Sequence, residues 1–460
     1  MADGNGLFGR RAMSGIMFGA FLGACSAPRD SDERGAGGGA AGAGQNWAKT
    51  FEYGAARFVE PRSVAELQTV VKASERVKAL GSRHSFSRVA DTKGTLVSMA
   101  QFSDIAAVDK AAMTVTVGGG VKYGELCEQL DAQGYAIHNL ASLPHISIAG
   151  AISTGTHGSG SANGNLASPV EALEMVTPSG EVRQFSRTAD GERFNGMVVG
   201  LGALGFITKV TLAVQPRFTM RQYVFENLPW TALDEHFDGV MDAAYSVSLF
   251  TTWGQGGIEE VWVKTRMDAK VPFEAGPTFY GATAATTDLH PIRSISAEPC
   301  TPQMGVSGPW FERLPHFRMG FTPSSGEELQ SEFFVGRGNA LAAIRAVAAL
   351  HDKVAPLLQI TEIRAVKGDA LWMSPAYERD SITIHFTWKK DEEGVLAVLP
   401  LVQAALKPFG PRPHWGKVFT MPPEEVKAQY PKLEDFRSLR GEFDPSGKLR
   451  NAFLDKEIGN

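Results

Sequence analysis

Five stretches of the chain carry side chains that could do chemistry. Glu362 and Arg364 lie two residues apart, so on a strand they share one face. His385 and Thr387 repeat that spacing, with Ile382, Ile384, Phe386 and Trp388 on the opposite face. His414 and Lys417 flank Trp415-Gly416, in a stretch too aromatic for an ordinary exposed loop. Gly81-Ser82-Arg83-His84-Ser85 is a tight loop with an imidazole inside it. Ala141 to Gly160 is dense in Gly, Ser and Thr, and small residues there let the backbone approach a ligand. Its N–H groups and hydroxyls could converge on a diphosphate. Its apolar residues Ile146, Ile148 and Ile152 argue for a buried segment, whose backbone polar groups need partners that a cofactor would supply. Pattern alone does not separate these readings from plainer ones. A strand with charged residues on one face fits a solvated sheet face, and a loop histidine fits a structural hydrogen bond.

The elements that would hold these groups are legible in the spacing. Ser63-Val64-Ala65-Glu66 is a capping box, and Val64, Leu67, Val70 and Val71 follow at helical spacing. Strands are expected at 76–80, 96–99, 113–117 and 206–214, and a helix from Tyr123 to Leu130 that Gly134 stops. Pro178-Ser179-Gly180 joins two strands of a hairpin, 170–176 and 181–186. Beyond Pro216, Asn339 can cap a helix to His351, and 357–366 and 381–388 read as strands. The mixture predicts an α+β fold in both halves, with domains at 46–216 and 217–460.

Gly200-Leu201-Gly202-Ala203-Leu204-Gly205 spells the dinucleotide fingerprint. That fingerprint requires a helix directly after it, and Phe206 to Val210 alternates as a strand, so a nicotinamide Rossmann site is rejected. The chain of 460 residues has a formal net charge of −5 and no Lys/Arg block, which argues against nucleic acid as a partner. Cys25, Cys127 and Cys300 form no metal-ligand spacing.

Residues 1–45 are a different text. Arg10-Arg11 precede a short apolar stretch, Ala12 to Ala24, sized as a signal-peptide core rather than a membrane span. It ends in Leu22-Gly23-Ala24-Cys25, which resembles a lipoprotein box, and Gly35 to Gly44 reads as a tether. The expectation is an exported protein, periplasmic or held to a membrane through acylated Cys25. The competing reading is a cytoplasmic enzyme with an added tail.

Taken together, the stretches Val77–Phe86, Ala141–Gly160, Gly200–Thr208, Gly308–Phe321, Gln359–Val366, Ile384–Trp388 and Arg412–Phe419 resemble the vanillyl-alcohol-oxidase type of flavoprotein, in its sugar-lactone and alditol oxidase branch. The resemblance runs from about Trp47 to the end of the chain. It implies an FAD-binding domain of two α+β subdomains and a substrate domain whose last segment returns to the flavin. It implies that His84 bonds to the 8-methyl position of the flavin. Ala79, Leu80, Gly81, Ser82, Arg83, Ser85, Ser142, Ser147, Gly150, Ala151, Ile152, Ser153, Ile207 and His414 match segments that cradle FAD. Ser142, Glu362, Arg364, His385, Thr387 and Lys417 match positions lining a polyol pocket, with His385 as the candidate base. The activity implied is oxidation of a terminal alditol hydroxyl to an aldose, O2 becoming H2O2. A sugar-lactone oxidase or dehydrogenase is the rival within the fold. An inert surface binding protein is the rival outside it.

Overall fold

The computed structural model describes residues 42–321 and 327–459. The leader, with Arg10-Arg11 and Cys25, lies outside them. The end of the expected tether does not: Ala43 is buried with Tyr53, Ala55, Leu80 and Leu96, and its carbonyl accepts from Arg83 Nη1.

Three larger sheets and a two-stranded one, Tyr135–Ala136 with Gln215–Pro216, build the described residues. The first is parallel, in the order Arg57–Val59, Thr95–Ser98, Val77–Leu80. The helix Val64–Ala73 connects two of its strands and buries Leu67 and Val71 against Val77 and Val97. Ser63 caps this helix: its hydroxyl accepts from Glu66 N at 3.2 Å, while the Glu66 carboxylate accepts from Arg62 N at 2.8 Å. The second sheet is antiparallel, in the order Thr114–Gly118, Phe206–Ala213, Val170–Val176, Val182–Ser186. A strand does follow the GxGxxG run, which turns through Leu201 and Gly202 at φ +52° and +62°.

The third sheet begins at Thr219 and is antiparallel throughout. Its central order is Thr219–Leu228, Ile258–Arg266, Ser246–Thr251, Leu358–Val366, Ser381–Lys389, Glu328–Gly336. Helices Ala340–Ala348 and Glu392–Leu406 pack on each other beside it. The first is shorter than its sequence pattern suggests; His351–Val354 forms a separate turn. One hydrophobic cluster runs through both halves, from Val89 to Ile458, so the chain crosses Pro216 without a break in its core. The C-terminal segment closes on the first half. Lys448 O accepts from Val77 N at 2.9 Å, and Asn451 Nδ2 donates to the carbonyls of Arg88, Val89 and Asp91.

Candidate active site

The strand Val77–Leu80 ends in the Gly81–Ser85 loop because the chain is forced to turn there. Arg83 holds φ +66°, and a Cβ on Gly81 would stand 2.6 Å from Ser147 Oγ. Ser82 and Ser147 bond reciprocally, Ser147 N donating to Ser82 Oγ at 3.0 Å and Ser82 N to Ser147 Oγ at 3.3 Å. On its other side the loop is pinned by Trp47 N to Arg83 O at 2.9 Å and Phe86 N to Gly416 O at 2.7 Å. The His84 imidazole stacks on Trp47 with centroids 5.1 Å apart. Burial draws its pKa down to about 3, with His145 and Lys417 adding to the effect. The ring is therefore neutral at ordinary pH.

This loop opens on one large cavity. Ala79, Leu80, Gly81, Ser82, Arg83, His84, Ser85, Ser142, Gly150, Ala151, Ser153, Ile207 and His414 all line it. Two expected cofactor residues do not. Ile152 is core, fully buried in the helix Ile148–Ser153. Ser147 acts one step back, as the hydroxyl that holds Ser82. The Arg83 guanidinium bonds outward, over Tyr53 and Phe58.

Glu362, Arg364, His385, Thr387, Lys417 and Ser142 line the same cavity. Strand register explains the grouping. Glu362 lies opposite His385, and His385 opposite Glu332, on three neighbouring strands. Thr387 lies opposite Gln330 on the same face. A solvated sheet face is excluded here: Glu332, Glu362, Arg364, His385 and Thr387 are all buried. Charges that deep need partners. Arg364 Nη2 donates to Glu332 Oε1 at 2.9 Å and Nη1 to Ser142 Oγ at 3.3 Å, while its Nε lies 3.6 Å from Glu362 Oε2. Glu362 and Arg364 therefore do not simply neutralise one another. The short partner of Arg364 is Glu332, and that of Glu362 is His316, at 2.7 Å. Burial pushes both carboxyls up, but the neighbouring cations and histidines outweigh it and hold both well below the usual range.

Glu332 is the residue that motif reading missed, along with Gln330, His157 and His316. His157 Nε2 lies 2.9 Å from Glu332 Oε1. Gln330 Oε1 accepts from Lys417 Nζ, and His385 Nε2 lies 3.2 Å from the same oxygen. His385 Nε2 also lies 3.5 Å from Lys417 Nζ, and its Nδ1 is buried without a hydrogen-bond partner among the described residues. Burial, then Lys417, lowers its pKa to about 3.

The other end of the cavity fits a flat, anionic, extended cofactor. A Cβ on Gly119 would stand 2.3 Å from Ile207 O, and one on Gly150 2.9 Å from Ser147 Oγ. Packing against neighbouring protein atoms thus holds both positions to glycine, and both line the cavity as bare backbone. Lys78 also lines it, fully buried, its Nζ bonded to the carbonyls of Leu201 and Gly202 at 3.3 and 3.0 Å rather than to a carboxylate. Burial draws its pKa down to about 7, and with no hydrogen-bonded carboxylate among the described residues it suits a diphosphate that would hold its charge.

Comparison with known proteins agrees. The FAD binding domain family matches residues 55–186, and the D-arabinono-1,4-lactone oxidase family matches 328–457. Alditol oxidase from Streptomyces sp. is 48% identical over 413 residues, 89% of this chain and 97% of that one. The chain belongs to the alditol oxidase family. The L-gulonolactone oxidase of Mus musculus lies further away within the wider branch, at 27% over 90% of this chain and 97% of its own length. Cholesterol oxidase from B. sterolicum shares the fold, with a TM-score of 0.71 at 15% identity over 90% of this chain and 96% of that one. The expected α+β flavoprotein fold and the alditol and lactone branch are therefore both met. FAD is the cofactor of this family's binding domain.

Proposed function

We propose that this protein is an FAD-dependent oxidase of alditols that converts a terminal hydroxymethyl group to an aldose. The observation carrying this reading is the buried polar wall of Ser142, Glu362, Arg364, His385, Thr387 and Lys417 on the cavity that the glycine cradle and His84 also line. A neutral, densely hydroxylated substrate needs many donors and acceptors with few unpaired charges, and here every charge has an internal partner. Such a site rejects ligands lacking a matching hydroxyl by up to about 10⁴-fold. The Streptomyces relative's activity on alditols supports the substrate class.

FAD, when bound, accepts the two electrons taken from the carbinol and delivers them to O2, giving H2O2. The protein's own residues bind and orient the carbinol. Arg364 and Lys417 are placed to stabilise an oxygen that gains negative charge as its proton leaves. His385, a neutral imidazole on the same wall, takes up that proton transiently. Ser142 and Thr387 offer hydroxyls that donate or accept.

The protein mixed with xylitol under anaerobic conditions should lose its yellow colour, then regain it in air with one peroxide per substrate. A yellow protein unmoved by xylitol but reduced by a sugar lactone would replace the alditol reading with the lactone one.

A covalent link between His84 and the cofactor is supported by the neutral imidazole and the pinned loop around it. His84→Ala should fold and bind FAD, but acid precipitation should release the flavin into the supernatant. Acid-stable flavin in that variant overturns the link.

Export is supported by Arg10-Arg11 and the Leu22-Gly23-Ala24-Cys25 box. Cys25→Ala should move the protein from the membrane to the soluble fraction, and unchanged membrane association overturns the acyl anchor.

A further inference from the structure

Lys264 lies on the strand Ile258–Arg266 and is fully buried. Its Nζ sits 2.7 Å from Leu314 O, 2.9 Å from Pro315 O and 3.0 Å from His316 Nδ1. On the far side of that ring, His316 Nε2 sits 2.7 Å from Glu362 Oε1. Glu362 and His316 line the substrate cavity; Lys264 stands one residue behind it.

The protons in this chain of contacts have one consistent arrangement. Glu362 is held as a carboxylate by Arg364 and His316, and a carboxylate only accepts. His316 Nε2, 2.7 Å from it, therefore carries the ring's proton, and Nδ1 is the lone-pair nitrogen that accepts from Lys264. The opposite tautomer would set a lone pair against a carboxylate oxygen. Burial draws the Lys264 pKa well below its usual value, and Lys264 can donate to Nδ1 as ammonium or as amine. The ring has no room to turn, since Trp262 and Phe250 pack edge-on against it at 5.1 and 5.5 Å.

We infer that Lys264 and His316 are positioning residues that fix Glu362 as a charged acceptor, with Oε1 held by the histidine and Oε2 left for a substrate hydroxyl. Arg364 Nε, at 3.6 Å, is too far to hold Oε2 firmly. The role in binding rests on the alditol reading; the proton arrangement does not. The binding determinant is thus set partly by a lysine that touches no substrate. Glu362 cannot swing toward the Arg364 fork without breaking the histidine bond.

The test uses the holoenzyme. Imidazole nitrogen spectra of isotope-labelled wild type, with His316 assigned by its loss in His316→Gln, should show Nε2 protonated and Nδ1 bare. A proton on Nδ1 overturns the proposal, whether or not any variant folds. Lys264→Met should raise the KM for xylitol about tenfold while kcat changes less than about threefold. In a Glu362→Gln background the same Lys264 substitution should change KM less than about twofold, because the carboxylate it serves is gone. An equal loss in both backgrounds identifies a merely structural lysine and overturns the proposal. If wild type does not act on xylitol, the alditol reading fails alone, and the imidazole spectra still decide the proton arrangement.

Discussion

Arg364→Met is expected to lower kcat/KM for an alditol by about 10³-fold and to destabilise the fold by about 3 kcal/mol or more. The two effects have separate causes. Activity falls because the guanidinium is one of two cations on the substrate wall, and removing one preorganised donor to developing charge typically costs about 10²- to 10³-fold. Loss of its bonds to Ser142 and Glu332 also loosens the groups around the substrate. Stability falls because Glu332 is only 2% exposed and has Arg364 at 2.9 Å as its permanent positive partner. Without it, Glu332 and Glu362 become two buried carboxylates on strands flanking His385, and His157 alone faces the first.

The double variant Arg364→Met, Glu332→Gln separates the causes. Replacing both members of a buried pair removes the uncompensated charge, so most of the stability should return while activity does not. Urea unfolding and steady-state kinetics on the single and double variants read the two quantities. A double variant no more stable than the single one would show that Arg364 holds the fold through contacts other than Glu332. A single variant keeping more than about a tenth of its activity would remove Arg364 from the catalytic wall.

Glu332 also shows where sequence reading stopped. Glu328, Gln330 and Glu332 stand at strand spacing just as Glu362 and Arg364 do, so a period-two signal was present. It carried no weight because polar alternation is the ordinary mark of a sheet face in water. Only register turns it into a site: Glu332 opposite His385 opposite Glu362 joins residues 53 and 23 positions apart in the chain, and no local pattern encodes it. The Gly81–Ser85 loop and the Ala141–Gly160 segment were legible because steric need is local. A backbone with no room for a Cβ, as at Gly81 and Gly150 against Ser147, shows as glycine in the sequence itself. Context likewise exposed the GxGxxG run, because the alternating residues after it specify a strand whatever lies elsewhere. Lys264 and His316 sit at the other extreme. Each reads as an isolated residue in an unremarkable stretch, and they meet Glu362 only through the folding of the large sheet and the segment that covers it.

Lys417 should impose an alkaline limit on the reaction. Burial lowers its pKa to about 8, with Arg364 pressing the same way and Glu332 opposing. Below that pH it is an ammonium that donates to Gln330 Oε1 and stands 3.5 Å from His385 Nε2. Above it the charge is lost, and with it the second cation available to an oxygen shedding its proton. The profile of kcat/KM, which reports groups of the free enzyme, should therefore be flat on the acid side down to about pH 5 and fall above about pH 8. The acid side is flat because His385 and His84, both drawn down to about 3, stay neutral over that range. Lys417→Met should cost about 10²-fold and abolish the alkaline fall, since the titrating group is gone. Lys417→Arg should also abolish it, because a guanidinium does not titrate there, but at a rate set by how poorly the larger planar group fits beside Phe86, whose ring Lys417 now overlies at 5.4 Å. An alkaline fall that survives unchanged in both variants would assign it to another group and leave Lys417 a binding residue. Its disappearance in both would make the charge on this one nitrogen the quantity that the active-site wall, through Glu332 and Arg364, is built to tune.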